Sequence, residues 1–542
     1  MAFNPKPGQD EILASTDPVL VVLGGAGTGK TTTAAALVRK VLDEDKGGSG
    51  AQKRALFLSF SRAAVSQIVD RTKDVLGDQA PFVEITTFHA FAWQIIRHWG
   101  PVVGLTDPVL SAPSEVKLFG TPGGLVFADL LPIALELVKV PAIGAHLRRR
   151  WSIVVCDEFQ DTDDLQFELI RKIRGEARLV FLGDLNQCIY RNLPGVVGVG
   201  PGRIEAALAL QGARQIVLPD VSHRDPTNVL PAAAASIRRR EFGHAAVHAA
   251  LESQMLEICH SPDRDGEGRV VALLVRRLRE EGYESVGVFS HHVDATANLS
   301  DLLSVEGIAH EIVGLSDATT SAMQAQFEML RFSAEKQDSG LVMRALGLFV
   351  TSLERGQKAP KLALQIVGKA EAPRTLETRL NALLEELDAA TCVADSLRVA
   401  EQVPNSIGLV RGERTWSQGF RVFTSLLGPR LYRSEGFPVG GFGSIEAKLV
   451  DEQISLLTGS DVTPTSAVQL MGLYQSKGRE ADATVIVLRE GDFYGTEPEP
   501  MEDGSKLLYV VLTRARRKTV VLTVGAALPS LVEPLALLSA EM

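Results

Sequence analysis

The chain has 542 residues, 45% hydrophobic and 23% charged, with 56 Lys and Arg against 66 Asp and Glu and a net charge of −10. A length of this order divides into roughly three to five compact units, and the composition is that of an ordinary soluble protein. No run of about eighteen uncharged apolar residues suits a membrane span, and the amino-terminal MAFNPKPGQDEIL lacks the basic and apolar regions of a secretory leader.

Cys156, Cys188, Cys259 and Cys392 have no paired spacing for zinc, an iron–sulfur cluster or a disulfide framework. A cytoplasmic protein with no membrane partner is expected. The negative net charge does not argue against a polyanionic partner, because a cleft needs only local positive potential. Basic clusters occur at Arg148–Arg150, Arg238–Arg240, Arg276–Arg279 and Arg514–Lys518. Each alone is more often a solvated surface than a contact.

In chain order, apolar and β-branched runs recur at Val19–Leu23, Ala55–Ser59, Ile153–Cys156, Leu179–Leu182, Val286–Ser290, Thr484–Leu488 and Thr519–Val524. Helical spacing follows or precedes most of them, as in Thr31–Leu42 and Asp164–Ile173. Strands alternating with helices predict an α/β fold of parallel sheets with ligands at the strand ends. Residues 318–464 differ in texture: Leu/Ala/Glu/Arg-rich stretches such as Thr378–Leu387 predict helices.

The strongest local pattern is Gly24-Gly25-Ala26-Gly27-Thr28-Gly29-Lys30-Thr31-Thr32, placed after the strand VLVVL and opening a helix. Backbone N–H groups freed of Cβ atoms can wrap phosphates, Lys30 can neutralise them, and the Thr31 hydroxyl can hold Mg²⁺. The run SIVVC-Asp157-Glu158-Phe159-Gln160-Asp161 supplies what hydrolysis needs next. Asp157 can reach the metal and Glu158 can activate water. An Asp-Glu pair alone is usually a helix cap; behind a P-loop in this chain order it points to ATP hydrolysis.

With these residues in view, the chain resembles the UvrD/Rep/PcrA family of superfamily 1 DNA helicases from end to end. Asn4-Pro5 and Gln9 resemble the adenine-reading element, with Gln9 as the contact. Phe60-Ser61-Arg62 and Thr87-Phe88-His89 resemble elements that touch the DNA strand, and Gly183–Tyr190 resembles GDxxQSIY, in which Gln187 senses the γ-phosphate. Ser222-His223-Arg224 stands in place of Asn-Tyr-Arg, so His223 would stack on adenine and Arg224 would be one finger on the γ-phosphate. Gln475–Glu480 resembles HxSKGLE, with Glu480 at the ribose. Leu508–Arg516 resembles YVALTRA, with Arg514 as the second finger.

The resemblance implies two RecA-like P-loop lobes, residues 1–104 with 151–220 and 221–317 with 465–542. A reduced accessory insertion at 105–150 and a helical one at 318–464 interrupt them. It also implies ATP and Mg²⁺ as ligands and 3′→5′ movement on single-stranded or partly duplex DNA. Several positions depart from the family pattern. Arg191–Gly195 replaces the usual aromatic and arginine after Tyr190, and Tyr474 replaces a histidine at the junction of the lobes, where it joins the DNA-facing set. Phe88 and Tyr190 suit a base platform and a core position equally. The small insertions resemble helicase-like subunits of defence systems such as Gabija, which work beside a nuclease. An alternative to a helicase is therefore a DNA-activated ATPase that signals to a nuclease partner with little unwinding.

Overall fold

The computed structural model describes residues 4–541 except 46–52, 121–122, 192–196, 224, 226, 292, 314–315, 337, 355–357, 410–411, 433, 439–441, 450–465 and 493–496. The chain forms two compact units, one of Met1–Val103, Leu131–Gly314 and Ser460–Met542, the other of Gly104–Leu130 and Leu315–Gly459.

The first unit contains two wholly parallel six-stranded sheets, as the alternating pattern predicts. The first comprises β1 (Val19–Leu23), β2 (Arg54–Ser59), β3 (Val83–Thr87), β4 (Trp151–Cys156), β5 (Arg178–Gly183) and β6 (Ala213–Val217), in the order β3-β2-β4-β5-β1-β6. The second comprises β7 (Leu256–Ser261), β8 (Val286–Ser290), β9 (Glu311–Ile312), β10 (Val468–Gly472), β11 (Ala481–Arg489) and β12 (Ala515–Val524), in the order β7-β12-β11-β8-β10-β9.

The inner strands are apolar on both faces because helices cover both sides. In β1 the residues Val19, Leu20, Val21 and Val22 are all fully buried. The edge strands β6 and β7 keep several residues half or fully exposed and lack an apolar run, as does two-residue β9.

Six helices position the side chains of the functional surfaces: α1 (Lys30–Asp45), α2 (Arg62–Leu76), α3 (Phe88–Trp99), α4 (Pro141–Arg150), α5 (Asp164–Ile173) and α6 (Glu502–Leu512). Their starts are locally encoded. Ser61 Oγ accepts from the Ala64 N–H at α2, and Thr87 Oγ1 accepts from the Ala90 N–H at α3. At α5, Asp163 and Gln166 form a reciprocal capping box.

Residues 131–150, which the sequence assigns to the first insertion, group with the first unit. Ile143 and Leu147 of α4 are buried there, and the helix runs directly into β4, whose Trp151 packs against Phe91 at a ring-centroid distance of 6.0 Å.

The described residues of the second unit are mainly helical, as the Leu-rich texture predicts; the Thr378–Leu387 stretch lies inside the helix Arg374–Ala389. Its core joins Leu118 to Val342, Leu346, Phe349 and Trp416. Trp416 is fully buried and donates its indole N–H to the Ala400 carbonyl at 2.8 Å.

Candidate nucleotide site

The loop Gly24–Gly29 joins β1 to α1 at the carboxyl edge of the first sheet, where open α/β sheets place ligands. Gly27 and Gly29 have φ of 79° and 85°, a region costly for side-chain-bearing residues. A Cβ at Gly29 would also stand 2.6 Å from Gln9 Nε2. Gln9 itself is buried and donates Nε2 to the Thr28 carbonyl at 3.2 Å. His223 meets the same turn, its backbone N–H donating to the Gly27 carbonyl at 2.7 Å. Lys30 Nζ lies within the loop, 2.7 and 2.9 Å from the carbonyls of Gly24 and Gly25.

A cavity of 360 Å³ opens beside this loop. From the first sheet it is lined by Ala26–Thr32, Asp157, Glu158 and Gln187, and from the second by Glu480, Arg514 and Arg516. Thr31 Oγ1 donates to Asp157 Oδ2 at 3.1 Å, which brings two hard oxygen donors together. Such a pair suits Mg²⁺. Burial and the neighbouring Glu158 carboxylate raise Asp157 to about 6, against the pull of Lys30. Burial also acts to raise Glu158, but Lys477 and then Lys30 outweigh it and hold this carboxyl down at about 2. Glu158 has a φ of 52°, an unfavourable backbone for a side-chain-bearing residue and one that recurs at functional sites.

The two sheets meet through a buried polar network. Gln160 donates Nε2 to Glu158 Oε2 at 2.6 Å and accepts the Asp184 N–H at 3.0 Å. Gln187 Nε2 donates to Asp184 Oδ2 at 2.7 Å, and Gln187 Oε1 accepts from Arg514 Nη2 at 3.0 Å. Lys477 pairs with Asp161, lies 3.2 Å from Glu158 Oε2 and donates to the Gln187 carbonyl at 2.9 Å. Burial disfavours its charge, yet Asp161 and Glu158 more than compensate and keep it an ammonium.

The motif reading assigns no role to Lys477, Arg71 or Tyr509. Arg71 pairs with Glu480 at the cavity wall, and Arg516 lies 3.6 Å from the same carboxylate. On α2 the cavity-lining residues Ala64, Gln67, Ile68 and Arg71 fall at i, i+3, i+4 and i+7, a one-face signal present in the sequence. The Tyr509 hydroxyl accepts the Ala26 N–H at 3.2 Å and donates to Asp184 Oδ2 at 3.5 Å.

The expected DNA-facing set divides. Phe60 is half-buried and stacks on Tyr190 at 4.7 Å. Tyr190 is buried, donating its hydroxyl to the Tyr474 carbonyl at 3.0 Å, and Phe88 is 1% exposed. Both rings are therefore packed among other side chains. Ser61 and Thr87 spend their hydroxyls on helix caps, while His89 and Tyr474 are half-buried. Arg224, the Arg62 side chain and residues 192–195 of the departing run lie outside the described residues.

A phosphate-wrapping loop, an acidic pair two strands away and basic side chains from a second sheet define a two-lobed P-loop nucleotide-binding protein. A family described as "AAA domain" matches residues 9–192. ATP-dependent DNA helicase UvrD1 of Mycobacterium leprae is 21% identical over an alignment spanning 94% of this chain and 81% of that protein. UvrD1 of Mycobacterium tuberculosis strain H37Rv is 21% identical over 57% of the chain and 49% of its own length, and ATP-dependent DNA helicase PcrA of Staphylococcus aureus strain NCTC 8325 is 21% identical over 34% and 33%. The chain is thus similar to UvrD/PcrA-like superfamily 1 helicases.

Proposed function

We propose that the chain is an ATP-dependent DNA helicase that moves along single-stranded DNA in the 3′→5′ direction, in the cytoplasm. The observation that carries this reading is that one cavity draws its lining from both sheets, with Arg514 of the second on Gln187 of the first. The polarity rests on the family resemblance.

ATP binds with its phosphates on the amides of Gly25–Thr32, Lys30 exchanges its loop carbonyls for phosphate oxygens, and Gln9 and His223 hold the adenine. Glu480, steadied by Arg71 and Arg516, faces the ribose. Mg²⁺ held by Thr31 and Asp157 would neutralise charge on the phosphate oxygens. Glu158 orients a water for in-line attack on the γ-phosphorus and takes its proton as the bond to the bridging oxygen breaks. Arg514, with Arg224 as a second finger, stabilises charge on the departing phosphoryl group. Loss of that shared anchor releases the lobes from one another, and DNA held unequally by the two lobes advances.

The test is hydrolysis with and without single-stranded DNA, followed by strand separation on forks of each polarity. DNA-stimulated hydrolysis with separation of 3′-tailed forks supports the proposal; 5′-tailed forks alone overturn the polarity. Glu158→Gln should bind ATP and lower turnover by roughly 10²–10⁴-fold. If it turns over normally, the water-orienting assignment is wrong.

A second reading draws on the burial of Phe88 and Tyr190, which leaves these two rings packed rather than presented to bases. A motor with weak base grip could hydrolyse ATP on DNA and signal to a nuclease partner with little unwinding. Stimulated hydrolysis without separation on either fork selects this reading.

A further inference from the structure

We propose that a basic and aromatic patch at the opposite edge of the first sheet is a second binding site, for an unpaired nucleic-acid strand. The patch forms where α3, α4 and α5 end. α4 terminates at Arg150, immediately before Trp151 opens β4, whereas Asp157 follows the last residue of that strand. The length of β4, about 16 Å at a strand's rise per residue, therefore separates this surface from the nucleotide cavity.

Three observations define the site. First, a 410 Å³ cavity has a floor of Phe91, Ile95 and Leu147 and a rim of Trp99, His98 and His146. Second, Trp99 is half-buried and lies in T-shaped contact with two exposed imidazoles, His98 at 5.2 Å and His146 at 5.6 Å between ring centroids. Third, cationic side chains predominate around it, although Glu176, next to Gly175, is also exposed. Arg97, Arg148 and Arg149 are exposed, and the backbone of Arg148 lies against Gly175, just past α5 with its exposed Arg171 and Lys172. Glu84 is already paired with Arg150 at 2.7 Å. Among the described residues no ion pair holds Arg148, Arg149, Arg171 or Lys172.

Cations at helix C-termini interact favourably with the helix dipole, but that effect is confined to each last turn. It does not require two such ends, with a third beside them, to flank a cavity with an indole and two imidazoles at its rim. Phosphates on the arginines and a base against Trp99 use all three observations together, and this is the chemistry by which single strands are gripped without sequence readout. Duplex presents the same phosphates with its bases stacked away.

The test uses the full chain, without nucleotide, and a fluorescein-labelled dT decamer carrying bromodeoxyuridine. Irradiation should cross-link the decamer to the peptide bearing His98 and Trp99, and binding should show a second, salt-steep class of site. Trp99→Ala should weaken that class about ten-fold, the loss of one stacked base, while Trp99→Phe retains it. Arg148→Glu with Arg149→Glu, a change confined to exposed side chains, should lower the salt slope of the class by about 1.4. Absence of the cross-link, an unchanged slope in the charge-reversed variant, or equal binding of a blunt duplex would overturn the proposal. The readout involves neither hydrolysis nor unwinding, so it stands or falls apart from the motor reading.

Discussion

Arg514 reaches from the residue before β12 to donate Nη2 to Gln187 Oε1, 3.0 Å away across the junction of the two sheets. The same guanidinium donates Nε to the Val510 carbonyl at 2.8 Å, so its fork is aimed before any nucleotide is bound. A planar, permanently charged group so placed can follow negative charge as it shifts in phosphoryl transfer, and an ammonium on a flexible stem cannot reproduce the fork. Arg514→Ala and Arg514→Lys should both lower kcat for ATP, the former by roughly 10³-fold. Binding of a fluorescent ATP analogue should change little. A lysine variant with near-normal kcat would remove Arg514 from this role.

Lys477 bears on stability as well as chemistry. Its ammonium is 3% exposed and pairs with Oδ2 of a fully buried Asp161, whose Oδ1 has no hydrogen-bond partner among the described residues. Removing one member of a buried pair strands the other charge, at about 3–5 kcal/mol. Lys477→Ala should lose stability on this scale in urea unfolding. Adding Asp161→Asn should return a substantial part of it, because the stranded carboxylate is gone. Additive losses in the double variant would mean that the pair contributes nothing beyond packing.

This network also marks how far the sequence is legible. The P-loop and the Asp157–Asp161 run are contiguous, so spacing alone reveals them. Lys477 and Tyr509 lie within readable motifs, but their partners, Asp161 and Ala26, are more than 300 residues distant, and only the fold brings them together. Ser61 and Thr87 show the converse: a hydroxyl in a segment that resembles a DNA-contact element is also a good helix cap, and both hydroxyls cap helices here. β6 and β7 escape the reading because half-exposed edge strands have no need of an apolar run.

Tyr509 ties α6 to the phosphate loop. Its hydroxyl is the partner of the Ala26 N–H, and burial together with the Asp184 carboxylate keeps it protonated. Tyr509→Phe keeps the ring and deletes the bond, leaving a buried donor unmet at about 1–3 kcal/mol. Lower thermal stability is expected together with a raised KM for ATP, since the amide belongs to the loop that wraps the phosphates. A stable variant with unchanged KM would show that the loop holds its shape without this strut.

The fold also depends on acidity through His89. Burial lowers its imidazole to about 4 from an ordinary 6.5. Between those values the unfolded chain binds a proton that the folded chain refuses. The stability contributed is therefore complete above pH 6.5 and is lost as pH falls towards 4. The shift alone corresponds to about 3 kcal/mol, and because the side chain is only half-buried, about 1–2 kcal/mol is the appropriate scale. Other groups titrate over the same range, so the relevant quantity is the difference between the wild type and His89→Gln in urea unfolding at pH 7 and pH 4.5. The wild type should lose more stability across that interval, by the stated amount. Parallel losses in the two proteins would show that this imidazole is free to protonate in the folded chain.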